Sequence, residues 1–269
     1  MNARLQEIVQ DVARRLSQRK SVALEAEYRH RVRERAEPMD VQAALRRQAK
    51  ASAATGPLRV IGELKRRSPS AGDIRSDLDP KLAAPQLEAA GCRALSVLTE
   101  PDHFGGSLDA LVQARAACSL PILRKDFILE PFQVLEAAAV GADAVLLLAG
   151  VLDDEGLRRC YDAALDLGLH VLCEAHGEAE LERILTLEFP IVGLNARDLR
   201  SFDVDLNRIV RWSESVPTDR ICVAESGVRS REDAEFVASL KVDAVLVGEG
   251  LMRGGDPAQN FHALFGESS

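Results

Sequence analysis

Eight short apolar runs recur along the chain, roughly 20–35 residues apart, and this repeat constrains the fold more than any other feature. The runs are Val60-Ile61, Ala94–Leu98, Pro121–Leu123, Ala144–Leu148, His170–Cys173, Ile191–Leu194, Ile221–Ala224 and Ala244–Val247. They are nearly continuous in apolar residues, as parallel strands covered on both faces are. Amphipathic stretches separate them. Asp79-Pro80 starts one helix, with Leu82 and Leu87 on its apolar side and Gly91 at its end. Glu130-Pro131 starts another (Phe132, Leu135, Ala138, Ala139), closed by Gly141. Asp153-Asp154 starts a third, closed by Gly168. Pro inside the start and Gly past the end is the ordinary asymmetry of helix termini. Gly177–Leu187 and Arg229–Leu240 read as two more helices.

A repeat of this kind closes into a barrel or opens into a doubly wound sheet. The open sheet would usually carry a glycine-rich fingerprint after its first strand. Here the first run is followed by Lys65-Arg66-Arg67-Ser68-Pro69-Ser70. The predicted fold is therefore α/β, a (β/α)8 TIM barrel over residues 51–269, with its site at the C-terminal strand ends. An N-terminal helical extension over residues 1–50 is expected to pack on the barrel and make one domain with it. Leu5, Ile8, Val9, Val12 and Leu16 form one apolar stripe of a helix. Pro38 ends the helical segment, Asp40 can cap the next helix, and Ala51–Pro57 is a small-residue linker.

Charge is uneven. Residues 1–50 hold 12 Lys or Arg against 7 Asp or Glu, whereas the whole chain carries a formal charge of -8. The balance argues against general nucleic-acid binding, and a basic extension can dock on an acidic body. The Arg29–Arg35 run reads as a solvated helical face, with Glu25, Glu27, Glu34 and Glu37 interleaved. The five cysteines are scattered without metal-ligand spacing, which reads as reduced, buried thiols of a cytoplasmic protein. No secretory leader is expected at the start, and the longest apolar stretch, around Ala144–Leu152, is about half a membrane span.

The residues at the run ends carry the chemistry. Glu63 and Lys65 are two apart and share one strand face. Buried together, they imply mutual pairing or a charged ligand. Lys125 ends Pro-Ile-Leu-Arg-Lys-Asp-Phe; in a desolvated cleft its pKa is expected to fall, suiting a general acid. Glu174 can abstract a proton or stabilise a cation. Asn195 and Arg197 add an amide and a fixed positive charge. Glu225-Ser226-Gly227 after run seven and Gly248-Glu249-Gly250 after run eight stand where phosphate-binding barrels cradle their ligand. Each residue alone is compatible with a loop-end or salt-bridge role; their common position at the strand ends is the argument.

These segments resemble the indole-3-glycerol-phosphate synthase family over nearly the whole chain. The resemblance rests on Gly62-Glu63-Leu64-Lys65-Arg66-Arg67-Ser68-Pro69-Ser70, Ser96-Val97-Leu98-Thr99-Glu100, Leu123-Arg124-Lys125-Asp126-Phe127, Gly193-Leu194-Asn195-Ala196-Arg197-Asp198-Leu199, Ala224-Glu225-Ser226-Gly227 and Leu251-Met252-Arg253. It implies a barrel with an N-terminal helical segment, acting in tryptophan biosynthesis without cofactor or metal. The implied reaction closes the ring of 1-(2-carboxyphenylamino)-1-deoxyribulose 5-phosphate with loss of carbon dioxide and water. By resemblance, Lys125 protonates the ribulose carbonyl and Lys65 holds the anthranilate carboxylate. Glu174 and Glu63 stabilise the cationic intermediate and take up protons, with Asn195 orienting them. Ser226, Gly227, Gly248 and Glu249 bind phosphate. Ser68 and Arg197 match substrate-binding positions, and Phe104, Phe127, Leu146 and Leu199 match the lining of the aromatic pocket. The implied partner is a small phosphorylated substrate, with no nucleic acid or membrane. A monomer is expected, with a weak homodimer as the alternative. Gly62, Cys173 and Gly250 depart from the family's usual Ala, Val and Ser. The rivals are another phosphosugar barrel, such as phosphoribosylanthranilate isomerase, and a non-catalytic phospholigand-binding barrel.

Overall fold

Eight parallel strands close on themselves in chain order: β1 (Arg59–Leu64), β2 (Ala94–Leu98), β3 (Ile122–Lys125), β4 (Ala144–Leu148), β5 (His170–Ala175), β6 (Ile191–Asn195), β7 (Ile221–Glu225) and β8 (Ala244–Val247), with β8 paired back to β1. This computed structural model describes residues 3–47, 49–50, 53–54, 56–198 and 203–266. β2, β4 and β8 coincide with their apolar runs, whereas β1, β3, β5, β6 and β7 end one to three residues further on, taking in the polar residues Glu63, Lys125, Glu174, Asn195 and Glu225. Side chains alternate along each strand. Ile61, Ala94, Leu123, Ala144, Leu146, Leu148, Leu172, Ile191, Ile221, Val223, Ala244 and Leu246 pack inside the barrel. The intervening residues, among them Val60, Leu95, Val145, Val192 and Val245, pack against the helices in the outer core.

Among the described residues three helices precede the barrel: α1 (Ala3–Arg19), α2 (Val22–Glu34) and α3 (Val41–Leu45). The single helix expected up to Pro38 is broken at Lys20-Ser21, where Ser21 caps α2 by accepting from the Leu24 N–H. The stripe of α1 is buried at Leu5, Ile8, Val12 and Leu16, while Val9 falls at its margin. Asp40 caps α3 as expected. Val41 and Leu45 of α3 then join the inner cluster with Ile61 and Ala94. The basic run divides. Arg29 and Arg31 pair with Glu25 and Glu27 one turn back on the exposed face. Arg35 instead donates to the carbonyls of Ala138 and Ala142 at 2.7 and 2.9 Å, so it docks on the barrel and is not solvated. Part of the expected linker, residues 51, 52 and 55, lies outside the described residues.

The outer layer follows the strands: α4 (Pro80–Ala90) after β1, α5 (Pro101–Phe104) and α6 (Leu108–Ala117) after β2, α7 (Pro131–Ala139) after β3, α8 (Asp154–Asp166) after β4, α9 (Glu178–Thr186) after β5, α10 (Asn207–Ser215) after β6, α11 (Arg231–Ala238) after β7, and α12 (Glu249–Met252) and α13 (Pro257–Phe265) after β8. Helix α4 has the predicted ends, with Asp79 as N-cap and Gly91 left-handed at its C-cap. Leu82 is not on its apolar side: it is 65% exposed, and Ala83, Ala84, Leu87 and Ala90 make the buried face. Gly62 has a packing reason, since a Cβ there would press on Leu87 at 2.9 Å and Cys92 at 3.0 Å. Four cysteines are buried and all five are free, but Cys118 is only partly covered.

A buried polar joint holds the extension to the barrel. Arg124 alternates outward on β3 and pairs with Asp126 at 2.9 Å and Glu136 at 2.8 Å. Glu136 also accepts from Arg19 at 2.7 Å and from the Tyr28 hydroxyl at 2.9 Å. Arg15 reaches Glu100 at 2.7 Å, and Asp11 meets His103 Nε2 at 3.0 Å.

Candidate active site

Strand alternation brings the predicted catalytic side chains to one rim. Glu63, Lys65, Lys125, Glu174 and Asn195 line a cavity of about 180 Å³ at the C-terminal ends of the strands, together with Ser68, Phe104, Phe127, Leu146, Arg197, Ser226, Gly227, Gly248 and Glu249. Thus the structure brings together every predicted site residue it describes; Leu199 lies outside the described residues. Helix α1 contributes Arg4, Leu5 and Ile8 to the same cavity.

The groups form an alternating chain of charge. Lys125 Nζ donates to Glu174 Oε2 at 2.7 Å and to Glu225 Oε2 at 2.8 Å. Asn195 Nδ2 donates to Glu174 Oε1 at 2.8 Å, and the backbone N–H of Arg197 in turn donates to Asn195 Oδ1 at 2.9 Å. His176 Nε2 also stands 2.8 Å from Glu174 Oε1. Lys65 pairs with Glu63 at 2.5 Å, so mutual pairing is what the i, i+2 spacing produces. Two glycines make room for these groups. A Cβ on Gly193 would collide with Glu225 Oε1, and one on Gly248 would collide with the Glu63 carboxylate.

The expected fall in the Lys125 pKa is corrected by this geometry. Burial does act against the ammonium, but Glu174, Glu225 and Glu63 around it outweigh that and hold it above the ordinary lysine range. Glu174 is likewise penalised by burial yet held well below the usual carboxylate range by Lys125 and His176. Glu225 goes the other way. Burial and the neighbouring Glu174 push it up to about 8, against the opposing pull of Lys125. His176 is disfavoured as a cation by burial, but Glu174 and Glu180 raise it to about 9.

His176 enters the site without any sequence motif to mark it, and Glu225, marked by its motif only as part of a phosphate-binding segment, joins the charged cluster instead. A signal was present in the spacing. The i, i+2 rule that pairs Glu63 with Lys65 also pairs Glu174 with His176 and sets Glu225 two beyond Val223 on the inner face.

The pH dependence of stability has a defined sign. Glu225 and His176 both bind protons more tightly folded than unfolded, so stability falls wherever the native state retains a proton that the unfolded chain has lost. That window runs from about 4.5 to about 8 for Glu225 and from about 6.5 to about 9 for His176. The expected result is a melting temperature that decreases from pH 6.5 to pH 9, more shallowly in Glu225→Gln. A flat profile in the wild type would contradict the buried charge pattern.

One wall is apolar. Phe104 and Phe127 stand with ring centroids 6.0 Å apart, tilted by 42°, and Leu146 and Leu148 of β4 are buried beside them. Phe104 ends α5, whose first turn is capped by Glu100 accepting from the N–H groups of Asp102, His103 and Phe104. Because Arg15 of α1 holds Glu100, the extension fixes the aromatic wall through one carboxylate.

The opposite end is built from loops. Ser226 and Gly227 both have positive φ, 68° and 94°. For serine this conformation costs on the order of 1–3 kcal/mol and is characteristic of functional loops. Gly248 precedes the short α12, and the Glu249 carboxylate is engaged by Arg253 at 2.8 Å and lies 3.9 Å from Arg229. Arg197 is half-buried; burial and the nearby Arg229 lower its pKa, while Glu249 and Glu63 oppose this. Of these guanidinium groups, those of Arg197 and Arg229 line the cavity. Ser68 accepts from the Ala71 N–H at 3.1 Å in the loop after β1. Among the described residues no group of three His, Cys, Asp or Glu side chains is arranged to hold a metal ion.

Known proteins share both sequence and architecture with this chain. The profile of the family described as "Indole-3-glycerol phosphate synthase" matches residues 5–264. A protein of that name from Koribacter versatilis (strain Ellin345) is 44% identical over 266 residues, covering 99% of this chain and 100% of the relative. Another, from Aromatoleum aromaticum (strain DSM 19018 / LMG 30748 / EbN1), is 45% identical over 241 residues, 90% of each. Among solved structures, 3-hexulose-6-phosphate synthase from Salmonella typhimurium superposes with a TM-score of 0.63 at 15% identity, covering 77% of this chain and 96% of that one, which speaks to the fold alone. A match across almost the entire length, at this identity, means that the chain belongs to the indole-3-glycerol phosphate synthase family.

Proposed function

We propose that this chain converts 1-(2-carboxyphenylamino)-1-deoxyribulose 5-phosphate to indole-3-glycerol phosphate, carbon dioxide and water, as a carboxy-lyase of tryptophan biosynthesis. The observation that carries the reading is the convergence of two lysines and three carboxylates on one side of a cavity whose other side is apolar.

The substrate's phosphate is held by the backbone of Ser226, Gly227, Gly248 and Glu249, with Arg197 and Arg229 supplying positive charge. Its aromatic ring lies against Phe104, Phe127 and Leu146, and Lys65 holds the ring carboxylate, with Ser68 beside it. The ring carbon bearing that carboxylate attacks the ribulose carbonyl. As the new carbon–carbon bond forms, the carbonyl oxygen becomes an alkoxide. An alkoxide is a far stronger base than a carboxylate, so Lys125 can protonate it even with a raised pKa. Loss of carbon dioxide restores the aromatic ring, and an apolar wall favours a step that turns a carboxylate into a neutral gas. Lys65, released as the carboxylate departs, protonates the hydroxyl that leaves as water; Glu174 and Glu63 stabilise the iminium so formed and take up the proton that completes the indole. Asn195 keeps Glu174 aimed at the cavity.

The free cysteines fit a reducing compartment such as the cytoplasm. The test is direct. Purified protein mixed with the carboxyphenylamino-ribulose phosphate should develop indole fluorescence with stoichiometric release of carbon dioxide. Absence of product at high enzyme concentration would reject the reading in favour of another phosphosugar barrel.

A further inference from the structure

His176 lies just past the end of β5, two residues beyond Glu174 and on the same face, and nothing in the mechanism above uses it. Its side chain is only 7% exposed, its Nε2 stands 2.8 Å from Glu174 Oε1, and its Nδ1 stands 3.8 Å from Glu180 Oε2 on α9. Among the described residues the buried Nδ1 has no hydrogen-bond partner, so the ring is held at one end by Glu174 and faces a second carboxylate at the other. The surrounding backbone is fixed as well. Glu180 Oε2 accepts from the His176 N–H at 2.7 Å, and Arg208 on α10 donates to the His176 carbonyl at 2.7 Å while facing Asp198 at 3.7 Å.

Among the described residues Glu174 is approached by three donors, and they divide between its two oxygens. Oε1 takes Asn195 and His176; Oε2 takes Lys125 alone. When Lys125 turns to the substrate's carbonyl oxygen, Oε2 is the atom left without a donor. We propose that His176, seated between Glu174 and Glu180, is a positioning residue that occupies Oε1 of Glu174 and so assigns Oε2, the oxygen on the Lys125 side, as the atom that takes up the substrate's proton. The inference rests on the proposed synthase reaction for its kinetic part only.

Two roles follow from this geometry. Paired with Glu174 on one side and Glu180 on the other, the ring is an imidazolium at neutral pH, and its charge keeps Glu174 ionised. The groups facing it are the carboxylates of Glu174 and Glu180, with Arg208 and Asp198 on the α10 side. Removing the imidazolium leaves Glu174 holding a proton to higher pH, so the acidic limb of kcat moves upward. Replacing Glu180 lets the imidazolium lose its proton at lower pH, so kcat falls with rising pH inside the neutral-to-basic range where the wild type holds.

The experiment uses full-length protein with ¹⁵N-labelled histidine, and the variants His176→Asn, His176→Gln and Glu180→Gln. In the free wild type at pH 7, one buried histidine should show the ¹⁵N shifts of an imidazolium, lost in both His176 variants. With the carboxyphenylamino-ribulose phosphate, the His176 variants should lose about 10- to 100-fold in kcat, the size expected for a misaligned catalytic group. Their KM should change little and their acidic limb should rise. Glu180→Gln should keep kcat near pH 6.5 and lose it toward pH 9. A neutral His176 in the wild type, or His176 variants with unchanged kcat and pH profile, would overturn the proposal. If the wild type turns over no substrate, the synthase reading fails, while the ¹⁵N measurement still decides the state of the Glu180–His176–Glu174 array.

Discussion

Lys125→Met is expected to lower kcat by about 10²–10⁴-fold, the usual contribution of a positioned acid, while the protein still binds a phosphate-bearing product analogue. Methionine keeps the length and volume of the side chain, so Phe127 and the apolar wall stay in place. What disappears is the cation between the Glu174 carboxylate and the Glu225 carboxyl group, each under 3 Å from it. Removing one partner of a buried pair usually costs about 3–5 kcal/mol. Here the loss should be smaller. Glu225 already holds a proton up to about pH 8, and Glu174 keeps His176 and Asn195. The variant should therefore fold, and its failure should be chemical. The proposed phosphate-binding residues Ser226, Gly227, Gly248 and Arg197 line the other end of the cavity, so binding of the analogue should survive. Single-turnover kinetics and calorimetric titration with the analogue measure the two parts separately. Turnover within tenfold of wild type would remove Lys125 from the acid's role.

Deleting residues 1–20 should raise KM and lower the melting temperature steeply, and deleting residues 1–50 should leave a chain that does not fold stably. The first deletion removes Leu5, Ile8, Val12 and Leu16, all buried on α1, at about 1.5–3 kcal/mol each when fully buried. It also removes Arg15 from Glu100 and Arg19 from Glu136. Even half of the apolar contribution is comparable with the net stability of an ordinary protein, about 5–15 kcal/mol. The effect on KM has a separate origin. Leu5 and Ile8 line the cavity, and Arg15 steadies the capping carboxylate of the helix that carries Phe104. The longer deletion also takes out Tyr28, which packs on Phe132 with centroids 5.7 Å apart, and Val41 and Leu45, which join the barrel's inner cluster. Differential scanning calorimetry and steady-state kinetics on the two truncations check this. Unchanged melting and KM would reduce the extension to a tail.

Much of this protein was legible in its residues. The eight apolar runs, their Pro-initiated and Gly-terminated helices, and the side chains at the run ends all mapped onto the barrel and its rim. The misreadings share one cause. Leu82 was assigned inward from its type, yet the buried face of α4 is made by alanines and Leu87. Arg35 was assigned to solvent from its charge, yet it bonds the carbonyls at the end of α7 and beyond. Spacing says which residues share a face; it does not say which neighbour that face will meet.

The same division holds at the site. Periodicity and strand-end position, which are local properties of the chain, determined by themselves that there is a barrel and that Glu63, Lys65, Lys125, Glu174 and Asn195 converge on it. The protonation pattern was decided only by the tertiary structure. From sequence, Lys125 looked like an amine depressed by burial; in the fold it is flanked by Glu174 and Glu225, which come from strands 49 and 100 residues away. Burial weakens a charge and proximity to its opposite restores it. The balance depends on distances between strands that no local pattern encodes.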